Sequence, residues 1–96
     1  MSRFSVQISP EALADTKRAL RKQPEKRKRV KKAIRLLEEE GPRHPSLHSH
    51  LMRGMEVLDE PVWTSYVENH TPGAWRIYWL YWGKDSIRIV YIGPHQ

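Results

Sequence analysis

The sequence predicts an α+β fold in which a helical hairpin packs on a small, mostly antiparallel sheet, with elements in the order β-α-α-β-β-β. Three observations predict it. The first forty residues pass from a short alternating run into two amphipathic helical patterns separated by a proline. The last third carries three stretches rich in aromatic and β-branched residues, divided by turn signals. With 96 residues, 39% hydrophobic and 29% charged, the chain can fill one core, so residues 1–96 are expected to form a single domain.

Phe4, Val6 and Ile8 alternate with Ser5 and Gln7, the period of a strand. Ser9 then suits a helix N-cap, Pro10 the first turn, and Glu11 the positive end of the helix dipole. Leu13, Thr16 and Leu20, with Ala12 and Ala19 alongside, form the expected inner stripe. Pro24 ends this pattern at Gln23 and starts a second helix. There Val30, Ala33, Ile34 and Leu37 fall at i, i+3, i+4 and i+7, and Gly41-Pro42 stops it. Residues 42–61 read as irregular, with prolines at 42, 45 and 61 and histidines at 44, 48 and 50. So long a loop is unusual in a small domain, and a short helical turn or a strand around Leu47 to Val57 would shorten it.

The C-terminal third reads as a meander of strands over Val62–Asn69, Ala74–Trp82 and Ser86–Ile92. His70-Thr71-Pro72-Gly73 offers Pro-Gly for the centre of a type II turn, and Gly83-Lys84-Asp85 turns the chain again. In the middle strand Arg76, Tyr78 and Leu80 face one side and Trp75, Ile77, Trp79 and Tyr81 the other. Seven of the eight Trp and Tyr residues lie between Trp63 and Trp82. Helices can cover only one sheet face, so some aromatics are expected to face outward, where they could stack on bases or meet a partner chain.

The absence of cysteine excludes a disulfide framework, a zinc–cysteine site and a thiol nucleophile. No apolar run is long enough to span a membrane, and the N-terminus has no signal-like core, so a cytoplasmic location is expected. The net charge of +6 is concentrated. Between Lys17 and Arg35 eleven basic residues face one acid, Glu25, a local +10 that leaves −4 for the remainder. Such a patch favours polyanionic partners.

Two groups of residues suggest chemistry. His48 and His50 could reach one ion from an extended segment, but nothing nearby completes a ligand set, and no metal or cofactor is expected. As imidazoles they could instead carry protons or contact RNA. Arg76 sits in mid-strand among aromatics, where a charge is costly unless it meets solvent, an anion, or Glu68 across the hairpin.

On these features the chain resembles the RelE/ParE toxin superfamily of bacterial type II toxin–antitoxin systems over residues 4–95. The resemblance rests on the element order, the basic hairpin, the strand Ala74-Trp75-Arg76-Ile77-Tyr78-Trp79 and the closing Ile92-Gly93-Pro94-His95. It implies a ribosome-dependent, metal-independent mRNA endonuclease that blocks translation. Arg76 would bind the scissile phosphate and His95 would carry a proton. Where the family's loop carboxylate stands, this chain has Ser46, and Gln96 replaces the family's terminal tyrosine, so His48 or His50 would supply the second proton carrier. Lys28, Arg29, Lys31, Lys32, Arg53 and Tyr78 would contact RNA or ribosome. The implied partners are an acidic antitoxin, the ribosome with its mRNA, and operator DNA in a higher-order toxin–antitoxin complex. Two alternatives share the resemblance: a ParE-like inhibitor of DNA gyrase, and a non-catalytic module that binds antitoxin or nucleic acid.

Overall fold

The computed structural model describes residues 3–69 and 71–94. Its elements are β1 (Ser5–Ile8), α1 (Pro10–Ala19), α2 (Pro24–Glu39), a 3-10 turn (Pro45–Leu47), β2 (His50–Val57), β3 (Glu60–Tyr66), β4 (Trp75–Tyr81) and β5 (Ser86–Pro94). The strands form one five-stranded sheet in the order β1-β5-β4-β3-β2. Only the β1–β5 pair is parallel: the helical hairpin carries the chain from β1 to β2 at the opposite edge, and the antiparallel run β2-β3-β4-β5 then returns to lie beside β1.

The local signals act as their chemistry dictates. Ser9 caps α1, its hydroxyl accepting the Ala12 N–H at 3.2 Å, and Pro10 occupies the first turn. Pro24 opens α2, whose Val30, Ala33 and Leu37 are buried. These residues pack with Trp75, Ile77, Trp79, Ile87, Ile89 and Ile92 from β4 and β5, so the core lies between the hairpin and the sheet. At the β3–β4 turn the Ala74 N–H donates to the Thr71 carbonyl at 3.1 Å, placing Pro72-Gly73 at its centre.

Three expectations need correction. The irregular segment contains both of the elements allowed for around Leu47 to Val57, a 3-10 turn and a strand, and the strand, β2, adds a fourth to the expected meander of three. β2 is an edge strand that is mostly exposed on both faces, so burial imposes no alternation on its sequence. A bulge between Leu51 and Glu56 shifts its register, and Gly54 at φ +80° supplies backbone a side chain would resist. Leu13 points away from the core and is exposed, because Ala12, Thr16 and Leu20 form the inward row of α1. The sheet face away from the helices is not open throughout. On it Val62, Thr64, Tyr78 and Leu80 are all buried, Tyr78 at 4% exposure.

Candidate functional site

On that outer face, cross-strand register brings the predicted residues together. Tyr66 on β3 pairs with Arg76 on β4, and Thr64 pairs with both Tyr78 on β4 and His50 on β2. Residues opposed in this way share a face. Arg76 lies over the Tyr66 ring with Cζ 3.8 Å from its centroid, a cation–π contact. The His48 ring is 4.9 Å from the same ring and the His50 ring 6.3 Å. Tyr66 is therefore the hub on which arginine and two histidines converge.

The arginine is held from its other side. Its Nη1 donates to the carbonyls of Glu68 at 2.7 Å and Trp75 at 3.3 Å, while its Nε is buried without a partner among the described residues. The Arg76–Glu68 contact thus uses the glutamate's backbone. The Glu68 carboxylate is occupied elsewhere, accepting the Trp75 N–H and Arg29 Nη1, each at 3.1 Å, and lying 3.4 Å from Lys26 Nζ. This carboxylate fastens the basic helix α2 to the strand that carries Arg76.

Backbone geometry orients the histidines. His48 ends the 3-10 turn in the left-handed region at φ 46°, which turns the chain into β2. His50 Nδ1 lies 2.9 Å from the His48 carbonyl. A carbonyl only accepts, so Nδ1 carries the hydrogen and Nε2 of a neutral ring is left with a lone pair. His44 Nδ1 instead accepts the Ser46 N–H at 3.2 Å and serves to hold the turn.

The proposed RNA contacts divide. Arg29 and Lys32 line a cleft of about 450 Å³ that runs past Ser46 to Tyr66 and Glu68, and so adjoin the site. Lys28 is exposed beside Glu25, 3.8 Å away. Lys31 belongs to a second groove of about 500 Å³ between the two helices, floored by Leu13, Leu20, Val30 and Ile34. Arg53 is exposed on β2, and Tyr78 is buried beside Arg76. His95 lies outside the described residues; Pro94, which precedes it, pairs with Trp75, one position from Arg76. Among the described residues no group of three His, Cys, Asp or Glu side chains could hold a metal ion, and no helix is long and apolar enough to cross a membrane.

Tyr66 is the site residue that sequence reasoning missed, while Glu68, expected as a partner for Arg76, serves it through its backbone carbonyl. Counting outward from the Pro72-Gly73 turn would set Asn69 opposite Arg76, so the register that pairs Tyr66 with Arg76 was not legible from the turn.

No protein-family model matches the sequence, and no curated protein matches it either. Structures do. The YoeB dimer from Staphylococcus aureus superposes with a TM-score of 0.69 at 14% identity, over 99% of this chain and 100% of that one. The archaeal RelE–RelB complex from Pyrococcus horikoshii OT3 gives 0.65 at 17%, over 96% and 94%. The YoeB–YefM complex from Staphylococcus aureus gives 0.68 at 14%, over 99% and 100%. The fold is RelE-like. Within that RelE-like frame, the arginine-bearing strand is the sheet's second-to-last in sequence, and the outer face around it is where His48 and His50 meet Tyr66.

Proposed function

We propose that this chain is the toxin of a type II toxin–antitoxin pair and cleaves mRNA on the ribosome without a metal ion. The observation that carries the reading is the convergence of Arg76, His48 and His50 on Tyr66. Cleavage by transesterification needs a base for the 2′-OH, a cation for the charge growing on phosphorus, and an acid for the departing 5′-oxygen. His50 Nε2 takes the 2′ proton, and the freed oxygen attacks phosphorus. The P–O5′ bond breaks as the 2′,3′-cyclic phosphate forms, and His95 gives its proton to the leaving oxygen. Arg76 stabilises the phosphorane, held in place by Tyr66 and two backbone carbonyls. Arg29 and Lys32 in the adjoining cleft attract the flanking phosphates.

The antitoxin reading rests on the groove between the helices, whose apolar floor is rimmed by Lys17, Arg21, Arg27 and Lys31. That chemistry suits an acidic amphipathic segment. Two of the similar structures are complexes with a second protein, RelB in one and YefM in the other.

The test is single-turnover mRNA cleavage on programmed ribosomes. Wild-type protein should cut and Arg76→Ala should be slowed about a hundredfold to a thousandfold, the range for loss of one preorganised donor. A folded Arg76→Ala variant cutting at the wild-type rate would overturn the assignment. Inhibition of gyrase supercoiling without cleavage would replace it with the ParE-like reading.

A further inference from the structure

Beside Arg76 the outer face holds a second, smaller pocket of about 230 Å³, lined by Met52, Met55, Tyr78 and Tyr91. We propose that this pocket is a nucleobase subsite, which seats one base of the RNA whose phosphate Arg76 holds; it rests on the reading of Arg76 given above.

Four features select that occupant. Tyr78 and Tyr91 are cross-strand partners with ring centroids 5.5 Å apart, giving an aromatic wall against which a heterocycle can stack. Met52 and Met55 are polarizable and adaptable and close the other side. The Tyr78 hydroxyl is buried and, among the described residues, has no hydrogen-bond partner. A buried hydroxyl is costly unless satisfied, and the polar edge of a base can satisfy it where an aliphatic ligand does not. The volume is below the roughly 300 Å³ at which drug-sized pockets begin, so it suits a single heterocycle.

Gly93 fixes the distance between the pocket and the phosphate. It pairs with Arg76, and the Tyr91 side chain lies across it so closely that a Cβ there would collide with the Tyr91 hydroxyl and ring. The Tyr91 ring is thereby laid along β5 towards the arginine. A base resting on the wall formed by Tyr78 and Tyr91 then lies next to the strand positions of Arg76 and Gly93.

The experiment needs neither ribosome nor cleavage. Protein labelled at the methionine methyls is titrated with AMP, GMP, CMP and UMP, and with ribose 5-phosphate as the base-free control, and the Met52 and Met55 resonances are followed by NMR. The nucleotides should shift both methyls, with affinities that differ among the four bases, and ribose 5-phosphate should not. Tyr91→Ala should weaken the response about tenfold, in line with loss of one stacking partner. Gly93→Ala, which displaces Tyr91, should weaken it as well. Tyr78→Phe keeps the buried ring and should narrow the differences among bases. Methyls that ignore all four nucleotides, or respond equally to ribose 5-phosphate, would overturn the subsite. So would Tyr91→Ala and Gly93→Ala variants, folded by thermal unfolding, that bind as the wild type does. Base binding in a protein that cuts nothing would keep the subsite and remove the nuclease.

Discussion

The two faces of the central sheet are built from the same strands and obey opposite rules. On the helix side Trp63 and Trp79 stack at 5.8 Å, Tyr81 closes edge-on at 5.0 Å from Trp79, and the polar atoms are satisfied. Trp79 Nε1 donates to Ser65 Oγ at 2.8 Å, which in turn shares a hydrogen with Ser49 Oγ at 2.7 Å. On the other side stand all three buried side-chain polar atoms that lack a partner among the described residues: Thr64 Oγ1, Arg76 Nε and Tyr78 OH. Native interiors leave few such groups unmet, and their gathering on one face is what the proposed binding role of that face accounts for.

The largest test of that contrast sets Trp79→Ala against Arg76→Ala. Trp79 is fully buried, so its truncation should cost on the order of 3–5 kcal/mol of stability, read by denaturant unfolding. Arg76→Ala should leave unfolding nearly unchanged while slowing cleavage on the order of a hundredfold or more. An Arg76→Ala protein as unstable as Trp79→Ala would make Arg76 a structural residue and dissolve the distinction. Within the outer face, His50→Ala should lose on the order of a hundredfold in the same assay, the value of one proton carrier.

How much of this was legible depended on whether burial or capping imposed a pattern. Both helices were readable because Ser9, Pro10 and Pro24 carry backbone requirements and because Val30, Ala33 and Leu37 face a core. β2 was not, since an edge strand with most residues exposed and a bulge at Gly54 has no period to read. Arg76 was found from its unusual place among aromatics. Tyr66 was missed because its importance comes from what it touches across the ladder, and a single strand's sequence does not state that. The closure of the outer face over Tyr78 was likewise invisible, because residues from non-adjacent segments, Met52 and Met55 among them, line the space above it.

A smaller effect concerns the basic helix, which adjoins the site on one side and the interhelical groove on the other. Replacing Lys28, Arg29, Lys31 and Lys32 together removes four exposed charges and spares buried Val30. Ribosome or RNA affinity should then depend less steeply on salt, the log–log slope flattening by about 3 if all four meet phosphates. An unchanged slope in a folded variant would reduce the patch to a solvated surface.

The smallest effect is the sharpest, because it compares neighbours on one strand. Thr64 and Ser65 are both fully buried on β3 and point to opposite faces. Ser65 Oγ serves Trp79 and Ser49, so Ser65→Ala strands the indole N–H and should cost about 1–2 kcal/mol. Thr64 Oγ1 serves no partner among the described residues, so Thr64→Val keeps the branched shape and removes a hydroxyl left unmet there. It should stabilise the protein by about 1 kcal/mol, which for a domain of this size raises Tm by roughly 4–8 °C. Stability rising at Thr64 and falling at Ser65 is the outcome the two faces require. A Thr64→Val protein less stable than the wild type would show that the outer hydroxyl supports the fold, and the contrast between the faces would fail at its finest point.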